Sequence, residues 1–335
     1  MNILLSGYFD KNIGDDIMQQ MVVGAFVQHK FYVYKKEREF LSHLEKYDNV
    51  YINQPCDNID MLLNVIGTGF MYRGKAAKLT KLFSILTEKK KKYKKSAVID
   101  CSIEEFDISI EKRLAKYELN KYDFITCRDE NSYKFIKENL PNKEVKFFED
   151  MVFASGLEKN VQKTDENLLG VAMVRRAYSA ENYDYYYELA KVCDYYIEKK
   201  QKKVLLFAFD CGQENDINAA LSIKRLMKYK DMAQIVHYNS CPEEFVNQMA
   251  RCSFVIASRF HGMILATLLK IRSVAVYDTM KLKVLSEKYN IPSFSKKGLN
   301  HKRLIEVIEN EDVMKEYDFS NARLHIESLW EYMER

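Results

Sequence analysis

An α/β protein with parallel sheets, divided into two domains, is what the sequence predicts. Three observations lead there. Short apolar runs alternate with helical patterns from end to end, as strands and crossover helices do in such folds. The 335 residues, 47% of them hydrophobic, are enough for two cores at roughly 150 residues per domain. Near the middle, "LEKNVQKTDEN" (Leu157–Asn167) is polar and unpatterned, so the linker belongs there.

In the first half, strands are expected at Asn2–Ser6, Phe31–Tyr34, Val50–Ile52, Leu62–Ile66, Ala97–Asp100, Phe124–Cys127 and Val145–Phe148. Helices fill most of the gaps, the clearest being Asp15–Gln28 and Asp129–Asn139. After the linker the pattern begins again. Strands follow at Leu168–Val174, Val204–Phe209, Gln234–Tyr238, Phe254–Ala257 and Val274–Tyr277. This gives a first domain over residues 1–156, a second over 168–320, and a terminal segment 321–335. The helix of that segment, Asn321–Met333, is expected to pack back on the first domain.

Composition excludes several classes of function. Charged residues make up 30%, yet the net charge is only +4. A nucleic-acid binder would show a basic surplus gathered on one face. The seven cysteines are scattered and form no Cys-x-x-Cys pair, which suits a reducing compartment better than a disulfide framework or a zinc site. "MNILLSGYFD" has too short an apolar run for a signal peptide, and no uncharged stretch nears the roughly 20 residues of a membrane span. A soluble, cytoplasmic protein is expected. The run "EKKKKYKK" (Glu88–Lys95) reads as a solvated helix end, with peripheral contact to an anionic membrane or lipid-linked substrate as the alternative. The tyrosines of "NYDYYYELAKVCDYY" (Asn182–Tyr196) are spaced for a helix facing a sheet rather than a stacking platform.

The chemistry is expected at strand ends. In open α/β sheets, ligands bind beyond the carboxyl ends of the strands, where strand order reverses. If the second domain has order 3-2-1-4-5, its first strand, ending "GVAMVRRAYS", lies beside its fourth, ending "FVIASRFHG". Arg175 or Arg176 then faces Arg259 and His261 across one crevice. The helix beginning near Phe260 turns its positive dipole end to the same place, beside Ser258. A third strand end, "VAVYDTMKLK", adds Lys281. Such a group suits a small, highly charged anion. The competing reading has Arg259 capping a carboxylate and His261 as a structural histidine.

The first domain repeats the logic with "SGYFDKNIGDDIM" and "VIGTGFMYRG", whose Gly7, Gly14, Gly67 and Gly69 allow close backbone approach. Neither has dinucleotide-fingerprint spacing, because Tyr72 stands where the third glycine would be. Asp16 reads as a helix cap, and Asp15 as either a cap or a catalytic group. No cluster has metal-ligand spacing.

These segments together resemble the polysaccharide pyruvyl transferase family over most of the chain. "SRFHGMILA" (Ser258–Ala266) looks like its Ser-Arg-x-His segment, and Lys281 falls on its lysine after the next strand. "GYFDKNIGDD" is similar to its N-terminal segment at Gly7, Asn12, Gly14 and Asp15, and "IGTGF" (Ile66–Phe70) to its glycine-rich segment. "FFEDMVFAS" carries the family's aspartate at Asp150, and "FDCGQENDI" places Asp216 near that of its second domain. The arginine after Gly170 lies one residue late, so Arg175 and Arg176 both remain candidates.

The resemblance implies two doubly wound Rossmann-like domains with a central cleft, as in the GT-B fold. It implies phosphoenolpyruvate as donor and a saccharide acceptor, which can be lipid-linked, of a cell-envelope polysaccharide; with no metal-ligand spacing in the sequence, no metal or other cofactor is expected. The product is a cyclic pyruvate ketal on a sugar diol. His261 is then the acid, and Arg259, Arg175 or Arg176, and Lys281 hold the donor with Ser258 and Phe260. Asp15 is a base, and Asn12, Gly14, Gly67, Thr68, Gly69 and Asp216 line the substrate. Two rivals stand beside this reading. A GT-B glycosyltransferase would need a base-stacking pocket and a ribose carboxylate in the second domain. A non-catalytic sugar or anion binder would show no turnover.

Overall fold

Each expected apolar run forms a strand, and every strand pair is parallel. The computed structural model describes residues 1–70, 93–103, 106, 109–162, 164, 166–175, 179–310 and 317–335. The first sheet holds β1 (Asn2–Gly7), β2 (Lys30–Val33), β3 (Val50–Ile52), β4 (Met61–Val65), β5 (Lys95–Cys101), β6 (Phe124–Cys127) and β7 (Glu144–Phe147). Its order is β3-β2-β1-β4-β5-β6-β7. The second holds β8 (Leu168–Ala172), β9 (Val204–Ala208), β10 (Ala233–His237), β11 (Cys252–Ala257), β12 (Arg272–Tyr277) and β13 (Ser293–Ser295). Its order, β10-β9-β8-β11-β12-β13, contains the predicted reversal between the domain's first and fourth strands. The short β13 has no apolar run and was invisible to hydrophobic patterning.

Two Rossmann-like units result. Unit 1 comprises Met1–Phe9, Ile17–Ser155 and Phe319–Arg335; unit 2 comprises Asp10–Asp16 and Gly156–Asp318. Asp10–Asp16, read from sequence as part of the first domain, therefore clusters with the second. The reason is hydrogen bonding to the end of β9. Ile13 donates its backbone N–H to Phe209 at 3.1 Å, and Cys211 donates to Lys11 at 3.0 Å. Gln213 N–H reaches the Asp10 carboxylate at 3.0 Å.

The cores follow strand physics. The β8 sequence LLGVA is buried at every position, as a central parallel strand must be when helices cover both faces. Leu169 and Val171 meet Tyr185, Leu189, Val192 and Tyr196 of the helix Ala180–Lys200. Tyr183 and Tyr187, on its other side, are exposed and stacked on each other. The tyrosine cluster thus faces the sheet only in part.

Helix ends moved by a few residues. The first helix is Ile13–Ala25, and Glu130–Asn139 is capped by Asp129, whose side chain accepts the Ser132 N–H. The terminal helix, Leu324–Glu334, packs on the first sheet, stacking Tyr332 on Phe124 with ring centroids 5.0 Å apart. Of the basic run, Glu88–Lys92 lie outside the described residues. Lys94 pairs with Asp60, and Lys95 opens β5, its ammonium donating to the carbonyl of Tyr332 at 3.0 Å. Neither is a helix end.

Candidate active site at the second switch point

β8 and β11 lie side by side in register, with Ala257 opposite Ala172. Past Ala257 the chain turns at once into a helix. Ser258 and Arg259 both donate their backbone N–H groups to the Ala172 carbonyl, at 2.7 and 3.2 Å. Arg259 is extended (φ −90°, ψ 136°) and precedes the helix Phe260–Leu268, which buries Gly262 through Thr267. The polar residues at its start are therefore gathered at the strand reversal, with the positive end of the helix dipole.

Arg259 does not simply face solvent. Its Nε and Nη2 donate to Asp216 Oδ2 and Oδ1 at 2.8 and 2.6 Å, and Nη1 pairs with Glu214. Burial alone would lower its pKa, but Asp216, Glu214 and Asp210 outweigh burial and hold the guanidinium charged. The buried Asp216 also accepts the N–H groups of Arg175 and Asp210, at 2.9 and 3.1 Å. One carboxylate thus ties together the ends of β8, β9 and β11. Sequence reading had Asp216 on substrate; its oxygens are occupied by the protein instead.

His261 packs against Gly14. A methyl group added at Gly14 would lie 1.8 Å from the imidazole Nδ1, so only glycine leaves room for the ring. The ring also meets Phe260 edge-on, with centroids 5.4 Å apart. Lys281, near the start of the helix Met280–Lys288, places Nζ 5.8 Å from the Phe260 ring centroid. Ser258 Oγ accepts the Tyr185 hydroxyl proton at 2.6 Å. Arg175 is exposed at the end of β8, and Arg176 lies outside the described residues.

The Asp10–Asp16 segment completes the group. Asn12 Nδ2 donates to Asp210 Oδ2 at 3.2 Å, and its Oδ1 accepts the Gly14 N–H at 3.1 Å. Asp210 Oδ1 gathers the N–H groups of Gly212, Glu214 and Asn215, at 3.1, 3.2 and 3.4 Å. Burial pushes the Asp210 pKa up to about 6, with Glu214 and Asp216 adding and Arg259 and Asn12 opposing. Asp16 is fully buried and accepts the Tyr238 hydroxyl proton at 2.8 Å. Burial raises its pKa well above the usual range, Tyr238 opposing and Asp15 and Asp210 adding. Asp15, only 7% exposed, sits in the first helical turn. Sequence reasoning missed Asp210, Glu214 and Tyr238. An aspartate directly after an apolar strand, as in "FAFD", was the signal available for Asp210.

Gly67, Thr68 and Gly69 fall in unit 1, where the first two meet a different arginine. Thr68 Oγ1 accepts from Arg128 Nη2 at 3.1 Å, and a methyl group at Gly67 would lie 2.8 Å from Arg128 Nη1. Gly69 donates its N–H to the Ser102 carbonyl at 3.2 Å. Arg128 further donates to Ser102 Oγ at 2.9 Å and to Asp150 at 2.7 Å. His325 Nε2 lies 3.0 Å from Asp100, and Asp100 Oδ2 lies 3.9 Å from Arg128. Burial raises the Asp100 pKa, Asp150 adds, and His325 and Arg128 oppose.

A family profile described as polysaccharide pyruvyl transferase matches residues 12–278. The chain belongs to this family. The match takes in Asn12 and Gly14 at one end and Ser258–His261 near the other, segments that meet in unit 2. A search of curated proteins found no match. Solved structures give the fold. UDP-GlcNAc 2-epimerase from Methanocaldococcus jannaschii is 12% identical with a TM-score of 0.63, covering 100% of both chains. The 2-epimerase from Rickettsia bellii is 10% identical with a TM-score of 0.66, covering 100% of this chain and 96% of that one. Anabaena HepE, in complex with UDP and glucose, is 13% identical with a TM-score of 0.57 over 100% and 99% of the two chains. This pyruvyl transferase family member shares its GT-B architecture with these structures. No helix among the described residues is long and apolar enough to cross a membrane. Among the same residues, no group of three or more His, Cys, Asp or Glu is placed to hold a metal ion.

Proposed function

We propose that the protein transfers the pyruvyl group of phosphoenolpyruvate to a sugar diol, forming a cyclic ketal on a cell-envelope saccharide or its lipid-linked precursor. The observation that carries this reading is the family match through both segments meeting at the β8–β11 reversal. Phosphoenolpyruvate brings a carboxylate and a phosphate a few bonds apart. Lys281, Arg175, the outward Nη1 of Arg259 and the start of the helix Phe260–Leu268 supply positive charge for both.

His261 gives a proton to the methylene carbon, the C=C bond becomes a C–CH3 bond, and C2 becomes oxocarbenium-like. One sugar hydroxyl attacks C2 and its proton returns the imidazole to the acid form. The C2–O bond to phosphate breaks, the cationic groups stabilising the departing charge. The second hydroxyl then closes the ring, and its proton leaves with inorganic phosphate. Asp15, buried and next to Asn12 and Gly14 in sequence, is the candidate to relay the second hydroxyl's proton to the departing phosphate. The donor suffices without a metal in this scheme, so turnover persists in excess chelator. Turnover lost with EDTA and regained only with a divalent ion would overturn that part.

The test is to incubate purified protein with phosphoenolpyruvate and a panel of aryl and lipid-linked glycosides. Release of phosphate with a product mass increased by one ketal-linked pyruvate supports the reading. A second reading, nucleotide-sugar transfer, draws on the complex of HepE with UDP and glucose. Thermal stabilisation by a UDP-sugar and not by phosphoenolpyruvate would replace the first with the second.

A further inference from the structure

Arg259 is shared between two carboxylates of unlike character. Asp216 is fully buried, pairs with Nε and Nη2 in parallel, and is fixed by the N–H groups of Arg175 and Asp210. It cannot leave without dismantling three strand ends. Glu214 takes the remaining nitrogen, Nη1, from a side chain that is 50% exposed, against 14% for Arg259. Its loop does not depend on that contact. The backbone is held by Asp210 Oδ1, which accepts the N–H groups of Gly212, Glu214 and Asn215. The Glu214 side chain can therefore swing into solvent while the loop stays in place.

An exposed carboxylate on one outward guanidinium nitrogen makes the same contact that a carboxylate or phosphate oxygen of a ligand would make. Asp216 already balances the charge of Arg259, so a second protein carboxylate is not needed for burial. We infer that Glu214 is an internal stand-in for the donor's anionic group, which the donor displaces from Arg259 as it binds. The inference rests on the proposed donor site. It makes Glu214 a determinant of donor affinity: part of the binding free energy goes into removing it, and the empty site keeps Arg259 engaged.

The experiment titrates phosphoenolpyruvate without acceptor, by thermal shift, into wild type, Glu214→Gln and Glu214→Asp. Exposed ion pairs of this kind are weak, so the apparent Kd should fall roughly two- to fivefold in both variants. Aspartate is the deciding variant. It keeps the charge but is one methylene too short to hold Nη1, so its affinity should rise with that of glutamine. If Glu214→Asp keeps the wild-type Kd while Glu214→Gln lowers it, only the field of the charge matters and displacement is wrong. An unchanged or higher Kd in both variants also overturns it. If wild type shows no shift with phosphoenolpyruvate, the donor reading itself falls, and the inference with it.

Discussion

The two units place an arginine at the end of a parallel strand and pair it with a buried aspartate, yet they use it differently. In unit 1, Arg128 follows β6 and each of its three nitrogens faces an internal oxygen: Ser102, Asp150 and Thr68. It is 7% exposed, and His325 of the terminal helix closes the cluster through Asp100. In unit 2, Arg259 follows β11 and gives two nitrogens to Asp216, but among the described residues its third pairs with the exposed Glu214. Equivalent topology therefore does not distribute chemistry equally. A guanidinium whose three nitrogens all meet oxygens of its own unit ties that unit together. Arg259, with one contact to a half-exposed carboxylate beside a histidine and a helix start, is the one we propose meets a ligand.

The sharpest way to break this contrast is to remove Arg128. Alanine there leaves Asp150 and Asp100 buried without their cation, which should destabilise unit 1 by about 3–5 kcal/mol. The single tryptophan, Trp330 of the terminal helix, stacks on Phe26 and reports unit 1. Urea denaturation followed by its fluorescence should show the midpoint fall. A loss below about 1 kcal/mol would remove the distinction between the two arginines.

Arg259→Lys is the converse test. Lysine keeps a charge but cannot make two parallel bonds to Asp216 while reaching outward. With Asp216 satisfied, the bond proposed to reach the donor is the one lost; a charge-assisted bond is worth about 1.5–3 kcal/mol, so kcat/KM should drop roughly ten- to 150-fold. The Trp330 transition should stay where it is. Wild-type kinetics would show Arg259 to be as structural as Arg128.

The sequence carried the strands and their reversal, because buried parallel strands are continuous apolar runs, as "LLGVA" and "FVIA" are. It also carried Ser258–His261, since a cation and an imidazole interrupt an otherwise apolar pattern. Partnership stayed hidden. Nothing in "FDCGQENDI" says that Asp216 will be consumed by Arg259 while Glu214 remains exposed, because that depends on which side chain the fold buries. The allegiance of Asp10–Asp16 was likewise illegible. It is decided by backbone bonds from Ile13 and Cys211, and a backbone N–H carries no sequence signature.

That allegiance makes Gly14 a probe of unit 2. In Gly14→Ala the new methyl group would overlap the His261 ring, with Nδ1 at 1.8 Å, so the imidazole must move. The fold can accommodate this because His261 is only half-buried. A catalytic group shifted by about 1 Å can lose up to a hundredfold in rate, and a loss of roughly tenfold in kcat is expected here. Binding of phosphoenolpyruvate without acceptor should persist. Unchanged kcat would mean that the position of His261 does not matter to the chemistry.

The smallest expected effect is a pH dependence confined to unit 2. Asp210 has a folded pKa of about 6, raised chiefly by burial, against an ordinary carboxylate value near 4. Between those values the folded state binds more protons than the unfolded chain, so this group's contribution falls as pH rises. It is fully present below about pH 4 and lost as pH passes through about 6. Asparagine at this position can still accept the N–H groups of Gly212, Glu214 and Asn215 through its carbonyl oxygen, but does not titrate. The wild-type minus Asp210→Asn difference in Tm should therefore shift against wild type by about 1–3 °C between pH 4 and pH 7. The difference cancels carboxyls remote from Asp210; the part of the Asp16 shift that Asp210 causes is lost in the variant and works in the same direction. A flat difference would mean that Asp210 stays ionised throughout, held by its three backbone donors and Arg259 despite its burial. In that case the end of β9 carries a fixed anion, and unit 2 is more like unit 1 than the contrast between Arg128 and Arg259 implies.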